Sequence, residues 1–246
     1  MPEESINTTT LIELLRKMGH DMRAPLGSVI STADMLADGI YDPLTAKQVR
    51  ANERIRRNSR RVLAILDDFV TYVKADAGQI QLNPGAFDPR KELSECVEQV
   101  RSLAEEKGLV LHLTTQEQVP SSLVGDIALI KRVTLHLLWN AVIFTAQGDI
   151  RIESEWSDTH NWNISVRDSG AGIPGEHVAH IFEPFWRGEE RPQVSTAGVG
   201  LGLAVSLSLA KLMKGQLVLE QTGAQGSSFR LSIPLELAGN QTTVTT

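Results

Sequence analysis

The sequence predicts an α+β protein: a long helical hairpin that forms a dimeric four-helix bundle, followed by an α/β sandwich. Three observations predict it. Two stretches of about thirty residues each carry apolar side chains at steps of three and four, the signature of amphipathic helices. Beyond Pro84-Gly85 the pattern changes to alternating helices and strands. The later strands fall in adjacent pairs, which indicates antiparallel pairing under helices that cover one sheet face.

Residues 10–37 read as the first helix. Thr10 and Glu13 are spaced as a capping box, and Leu11, Leu14, Met18, Met22, Leu26, Val29, Ala33 and Leu36 mark its apolar stripe. Asp38 to Pro43 is a turn with Gly39 and Pro43 as breakers. Thr45 and Gln48 form a second capping box, opening a helix that carries Val49, Ile55, Val62, Ile65, Leu66, Phe69 and Val73 to about Asp76, with Gly78 as its stop. Each helix is roughly 45 Å long at 1.5 Å per residue. Two such rods cannot bury both stripes fully against each other, so a symmetric pairing of two hairpins is expected.

Gln79 to Leu82 reads as a short strand. Asp88-Pro89 caps a helix to Lys107-Gly108, and Leu109 to Thr114 is a strand. Asp126 caps a helix to about Ala146, with Ile127, Ile130, Thr134, Leu137, Leu138 and Ala141 on one face. Asp149 to Trp156 and Asn161 to Asp168 form a hairpin through the turn Asp158 to His160. Leu201 to Met213 is a helix, and Gln216 to Gln221 with Ser227 to Leu235 closes the sheet. The expected domains are residues 1–78 and 79–237, with a disordered tail at 238–246.

The 246 residues suffice for two modest domains. Hydrophobic content of 41% and charged content of 22% are ordinary for a soluble protein. A net charge of −6 gives no nucleic-acid footprint. Runs such as Leu135 to Leu138 are too short to span a bilayer, and the polar, acidic start is no signal peptide, so no membrane segment and a cytoplasmic setting are expected. A single cysteine, Cys96, excludes an internal disulfide, fits a reducing compartment, and is expected to pack on a helix face.

Four features carry chemistry. On the strand Asn161 to Asp168, Trp162, Ile164 and Val166 face inward, and Asp168 falls next on that side. A carboxylate there needs a partner, and Gly170 and Gly172 beyond it let backbone approach a ligand closely. Such a carboxylate can accept from the exocyclic amine of adenine. Asn140 lies among apolar residues of its helix, and its amide oxygen suits a magnesium shell. Gly198, Gly200 and Gly202 open a helix whose free amides suit phosphate, preceded by the polar segment Arg187 to Ala197, which reads as a mobile flap. His20, beside Asp21, lies off the first helix's stripe, with Pro25 one turn on. Each feature alone has an ordinary structural explanation; their order is what carries meaning.

Together, His20 to Leu26, Leu137 to Thr145 around Asn140, Asp168 to Gly172, Phe182 to Arg187, and Gly198 to Gly202 resemble the phosphoacceptor box, N-box, first glycine box, F-box and second glycine box of sensor histidine kinases of two-component systems. The resemblance covers residues 10–236. It implies a dimerisation and histidine phosphotransfer hairpin joined to an ATP-binding domain of the Bergerat type. By position, His20 would attack the γ-phosphate of ATP and Asp21 would orient the imidazole or take its proton. Asp168 would read the adenine amine. Asn140 would help hold Mg2+. Gly170, Gly172, Gly198, Gly200 and Gly202 would admit the nucleotide and cradle its phosphates, and Arg187 would touch the γ-phosphate under a closed lid. The phosphoryl group would pass to an aspartate on a separate response regulator, and the sensor domain would be separate or missing, in a chain that is the cytoplasmic part of a longer membrane-attached protein.

Three positions depart from the family pattern. His136 stands where asparagine is common and Ile143 where a basic residue is common, which weakens the expected hold on phosphate. Ala24, four residues after the phosphoacceptor, has no hydrogen-bonding group where threonine or asparagine is frequent, so weak or absent phosphatase activity is expected. A degenerate kinase that binds nucleotide or a partner as a scaffold is the alternative; His136 and Ile143 lean toward it, and the intact His20, Asp21, Asn140 and Asp168 lean against it.

Overall fold

A computed structural model of the chain describes residues 8–188 and 199–238; for residues 8–16, 18 and 20 it describes the backbone alone. The chain divides into two compact units, the first ending at Ala77 and the second beginning at Gly78.

The first unit is an antiparallel hairpin of α1 (Thr8–Ala37) and α2 (Ala46–Asp76). Helix α1 is already formed at Thr8, so Thr10 lies within it rather than capping it, and it runs unbroken through Pro25. The cap on α2 forms as its sequence reads: Thr45 N–H donates to Gln48 Oε1 (2.8 Å), and Gln48 N–H donates back to Thr45 Oγ1. Asn52 donates to the Ala33 carbonyl at 2.7 Å, and Arg23 pairs with Asp67 at 2.8 Å. Gly19 is buried where α1 meets α2, because a Cβ there would press on Val70 Cγ2 at 2.6 Å. Several stripe residues stay open: Met22, Val29, Val49, Ile55 and Val62 are 40–49% exposed.

The second unit is a sandwich. Strands β1 (Gly85–Phe87), β2 (Val110–Thr115), β3 (Leu123–Gly125), β4 (Asp149–Trp156), β5 (Asn161–Asp168), β6 (Gln216–Gly223), β7 (Gly226–Pro234) and β8 (Glu236–Leu237) form two sheets. The larger has the order β2-β4-β5-β7-β6, with β2 parallel to β4 and the rest antiparallel. The smaller is β1-β3-β8. Helices α3 (Pro89–Glu106), α4 (Ile127–Phe144) and α5 (Gly202–Leu212) pack on one face of the larger sheet. Val100, Val133, Leu138, Val142, Ile150, Ile152, Val205, Leu209 and Leu231 are fully buried between the layers. Lys131 of α4 pairs with Glu92 and Glu95 of α3, each at 2.6 Å.

Gln79 to Leu82 is not a strand, contrary to its sequence reading. The strand begins at Gly85, and Phe87 supplies the inward anchor, 5.7 Å from the Trp162 ring. Leu82 instead lies 44% exposed, and the chain beside it is held by Asn83 N–H donating to Asp126 Oδ2 (2.9 Å) while Asp126 Oδ1 caps α4. Helix α4 stops at Phe144, short of Ala146, because the Lys107 ammonium collects the carbonyls of Val142, Ile143 and Thr145. With 18 residues and a mean hydropathy of 1.5, α4 has the length and apolarity of a bilayer span by composition alone, as a buried core helix also does. Its packing against α3, α5 and β5 makes it the central core helix. The tail residues 239–246 and the flap residues 189–198 lie outside the described residues.

Candidate functional site

Asp168 ends β5 on the inward row, as its alternation requires, and is 9% exposed. Its carboxylate is held by the backbone: Gly170 N–H donates to Oδ1 at 2.8 Å and Ser227 N–H at 3.3 Å. Burial pushes the carboxyl above the ordinary carboxylate range, and hydrogen bonds from the backbone of Gly170, Ser227 and Asp168 itself partly offset that rise. Among the described residues the Gly170 and Ser227 amides both bond to Oδ1.

The loop after Asp168 is shaped by contacts that no side chain permits. A Cβ on Gly170 would sit 2.8 Å from Asp168 Oδ1 and 2.9 Å from the Phe144 carbonyl, so the loop rests on the end of α4. Gly172 has φ +70°, and a Cβ there would overlap the Gly223 carbonyl. Ile173 N–H donates to Thr222 Oγ1 at 2.7 Å, and Thr222 Oγ1 lies 3.0 Å from Ser227 Oγ. The tip of the β6–β7 hairpin is thus the floor under Asp168. Gly226 completes it, with φ +103° and a missing Cβ that would strike the Asp168 carbonyl. The sequence reading has Ser227 only as the start of the last strand and gives Thr222 and Gly226 no role.

The second group lies where α4 meets α5. Gly200 has φ +80°, and its carbonyl accepts from Phe185 N–H at 3.0 Å, so the Phe182–Trp186 segment is fastened to the glycine-rich turn. Leu201, at the N-cap of α5, makes no side-chain cap bond, so the first-turn amides keep their capacity for an anion. Gly202 opens α5 with the His136 ring 3.7 Å from its Cβ direction. Asn140 follows His136 by one turn on the same face of α4 and is half-buried. That face reaches from α5, at His136, to the Asp168 loop, at Phe144: eight residues, or roughly 12 Å. Gly170 and Gly202 thus rest on α4, at Phe144 and His136, with Asn140 between them, while Gly172 rests on Gly223 and Gly200 on Phe185 and Trp186.

Arg187 is exposed. Gly198 lies outside the described residues. His20 lies in α1 with its side chain outside the described residues, and Asp21 is exposed beside it. Among the described residues no three His, Cys, Asp or Glu side chains gather into a metal cage, so a metal here would rely on Asn140 and on its ligand's own oxygens. Two cavities of about 150 and 390 Å3 open beside Arg167, at the hairpin tip and on the helix-free sheet face; neither holds the Asp168 carboxylate, and backbone contacts rather than cavity volume define the site.

Comparisons with known proteins fit this geometry. Residues 10–78 match the His Kinase A (phospho-acceptor) domain, and residues 125–237 match the histidine kinase-, DNA gyrase B- and HSP90-like ATPase. The chain is 33% identical to the sensor protein TorS of Escherichia coli over 91% of its own length and 24% of that protein's. It is 31% identical to the sensor histidine kinase RcsC of Salmonella typhimurium over 90% of its length and 23% of the relative's. The chain thus spans about a quarter of the length of these relatives. Among solved structures, full-length ShkA in complex with AMPPNP aligns at TM-score 0.75 and 27% identity over 92% of this chain and 46% of that one. Histidine kinase AdeS of Acinetobacter baumannii shares the fold at TM-score 0.61 and 24% identity, over 87% of this chain and 97% of that one. With a phosphoacceptor hairpin and a kinase-type ATPase sandwich in this order, the chain belongs to the sensor histidine kinases of two-component systems.

Proposed function

We propose that this chain is the core of a histidine autokinase: it binds Mg·ATP in the sandwich, phosphorylates His20, and passes the phosphoryl group to an aspartate of a response regulator. The observation that carries the reading is Asp168, a buried carboxylate whose Oδ1 is satisfied by two backbone amides. Such a group is costly unless its other oxygen meets a donor, and the amine of adenine is that donor. Residues 170–172 then pass the base, and the uncapped first turn of α5 with Gly200 and Gly202 meets the phosphates. Asn140 offers an amide oxygen to Mg2+, which neutralises phosphate charge when bound. Arg187 touches the γ-phosphate, and Gly198 joins the glycines that cradle the phosphates.

In the transfer, the His20 imidazole nitrogen bonds to the γ-phosphorus as the bond to the β–γ bridging oxygen breaks. ADP departs, and the proton from the attacking ring passes to Asp21 or water. Positioning and charge neutralisation supply most of the catalysis in such a step.

The assignment of 1–78 to dimerisation and phosphotransfer and of 79–237 to catalysis follows the same reading. The exposed Met22, Val29, Val49, Ile55 and Val62 support a homodimer, because a second hairpin would cover them. We place the core in the cytoplasm, where ATP and a reduced Cys96 belong, as the catalytic part of a longer sensor protein.

The test is incubation with radiolabelled ATP and Mg2+, followed by mass-spectrometric mapping. Acid-labile label on His20, absent in His20→Ala, is expected. A chain that binds no adenine nucleotide by calorimetry overturns the reading; one that binds nucleotide without labelling favours the degenerate scaffold.

A further inference from the structure

His136 stands where the resemblance led one to expect a weakened site. Its surroundings say otherwise. His136 Nδ1 lies 3.0 Å from Ser206 Oγ, and Ser206 Oγ lies 2.7 Å from the Gly202 carbonyl. A hydroxyl has one proton. The carbonyl oxygen can only accept, so that proton points to Gly202, and Ser206 Oγ meets His136 with a lone pair. Nδ1 therefore carries a hydrogen and donates. The chain of bonds runs in one direction, from α4 through the Ser206 hydroxyl to the first residue of α5. Gly202, lacking a side chain, lets the imidazole lie against it.

We propose that His136 is a positioning residue for Mg·ATP. Its Nδ1–H, acting through Ser206, fixes the spacing between the first turn of α5 and Asn140, one turn along α4 on the same face. The inference rests on the kinase reading of the site and adds a role that the phosphate cradle and the magnesium ligand do not themselves supply. It also gives the departure at this position a chemical meaning. An asparagine side-chain NH2 occupies nearly the place of the imidazole Nδ1 and donates the same bond, so histidine here preserves the donor.

The experiment measures binding of adenosine and of Mg·AMPPNP to the 246-residue chain by calorimetry for wild type, His136→Ala, His136→Asn, Ser206→Ala and the double alanine variant. Loss of one neutral hydrogen bond between the two groups should weaken Mg·AMPPNP roughly three- to tenfold in each single alanine variant. The double variant should be no weaker than either single one, since both remove one link. His136→Asn should bind like wild type. Adenosine affinity should be unchanged throughout, because the base end rests on Asp168 and the β6–β7 hairpin. An Asn variant as weak as the Ala variant, additive losses, or a parallel fall in adenosine binding overturns the positioning role. Failure of the wild type to bind any adenine compound instead overturns the kinase reading.

Discussion

Replacing Asp168 with asparagine should make the protein no less stable and a much poorer nucleotide binder. The side chain is 9% exposed, and burial already opposes its charge. Asparagine keeps an oxygen for the Gly170 and Ser227 amides, now at 2.8 and 3.3 Å from Oδ1, so the loop loses no partner. The unfolded carboxyl titrates in the ordinary range and the folded one above it. Between those two values the native state holds more protons than the unfolded state, so stability falls as pH rises through that window. At neutral pH the ionised carboxylate is therefore a burden, and its removal leaves stability unchanged or raised.

Binding moves the opposite way. The second oxygen becomes an NH2 that faces the ligand's own donor, which removes a bond to a charged acceptor worth about 1.5–3 kcal/mol. At 1.4 kcal/mol per tenfold, affinity for adenosine should drop roughly 10- to 150-fold. Urea denaturation and calorimetry on the same sample read the two effects. An Asn variant that binds adenosine as tightly as wild type, or one that loses binding only because it unfolds, would refute the assignment. The raised carboxyl also predicts that wild-type adenosine affinity declines on acidification at a higher pH than an ordinary aspartate would allow.

Gly226→Ala places a Cβ against the Asp168 carbonyl at φ +103°, so about 2–5 kcal/mol of stability should be lost, read as a lower urea midpoint at constant slope. Lys107→Met orphans the carbonyls of Val142, Ile143 and Thr145 at the end of α4, and a loss of about 1–2 kcal/mol is expected in the same assay. Charged substitutions Ile55→Glu and Val62→Glu, at positions 49% and 42% exposed in one chain, should convert a dimer to a monomer by sedimentation while leaving adenosine binding intact; persistence of the dimer would disprove the covered face. Cys96 is 1% exposed with its thiol pushed up to about 11 by burial, so iodoacetamide at pH 8 should modify it only at the rate of unfolding.

The amino-acid order by itself determined what is encoded within a few residues. The two long helices, the Thr45–Gln48 cap, the Asp88 and Asp126 caps and the inward position of Asp168 follow from spacings of two, three and four, because backbone geometry imposes those periods. The three-residue strand at Gly85 was missed because so short a segment has no period to read; only its pairing with Leu123–Gly125 and the burial of Phe87 make it a strand. Tertiary structure alone decided the rest of the site. Ser227 and Asp168 are 59 residues apart, and His136 and Ser206 are 70 apart. Neither pairing leaves a local pattern, since the contact exists only after β7 has paired with β5 and α5 has packed on α4. Sequence thus named the carboxylate and the glycines, and the closing of the sandwich gave them their amide partners and their distances from one another.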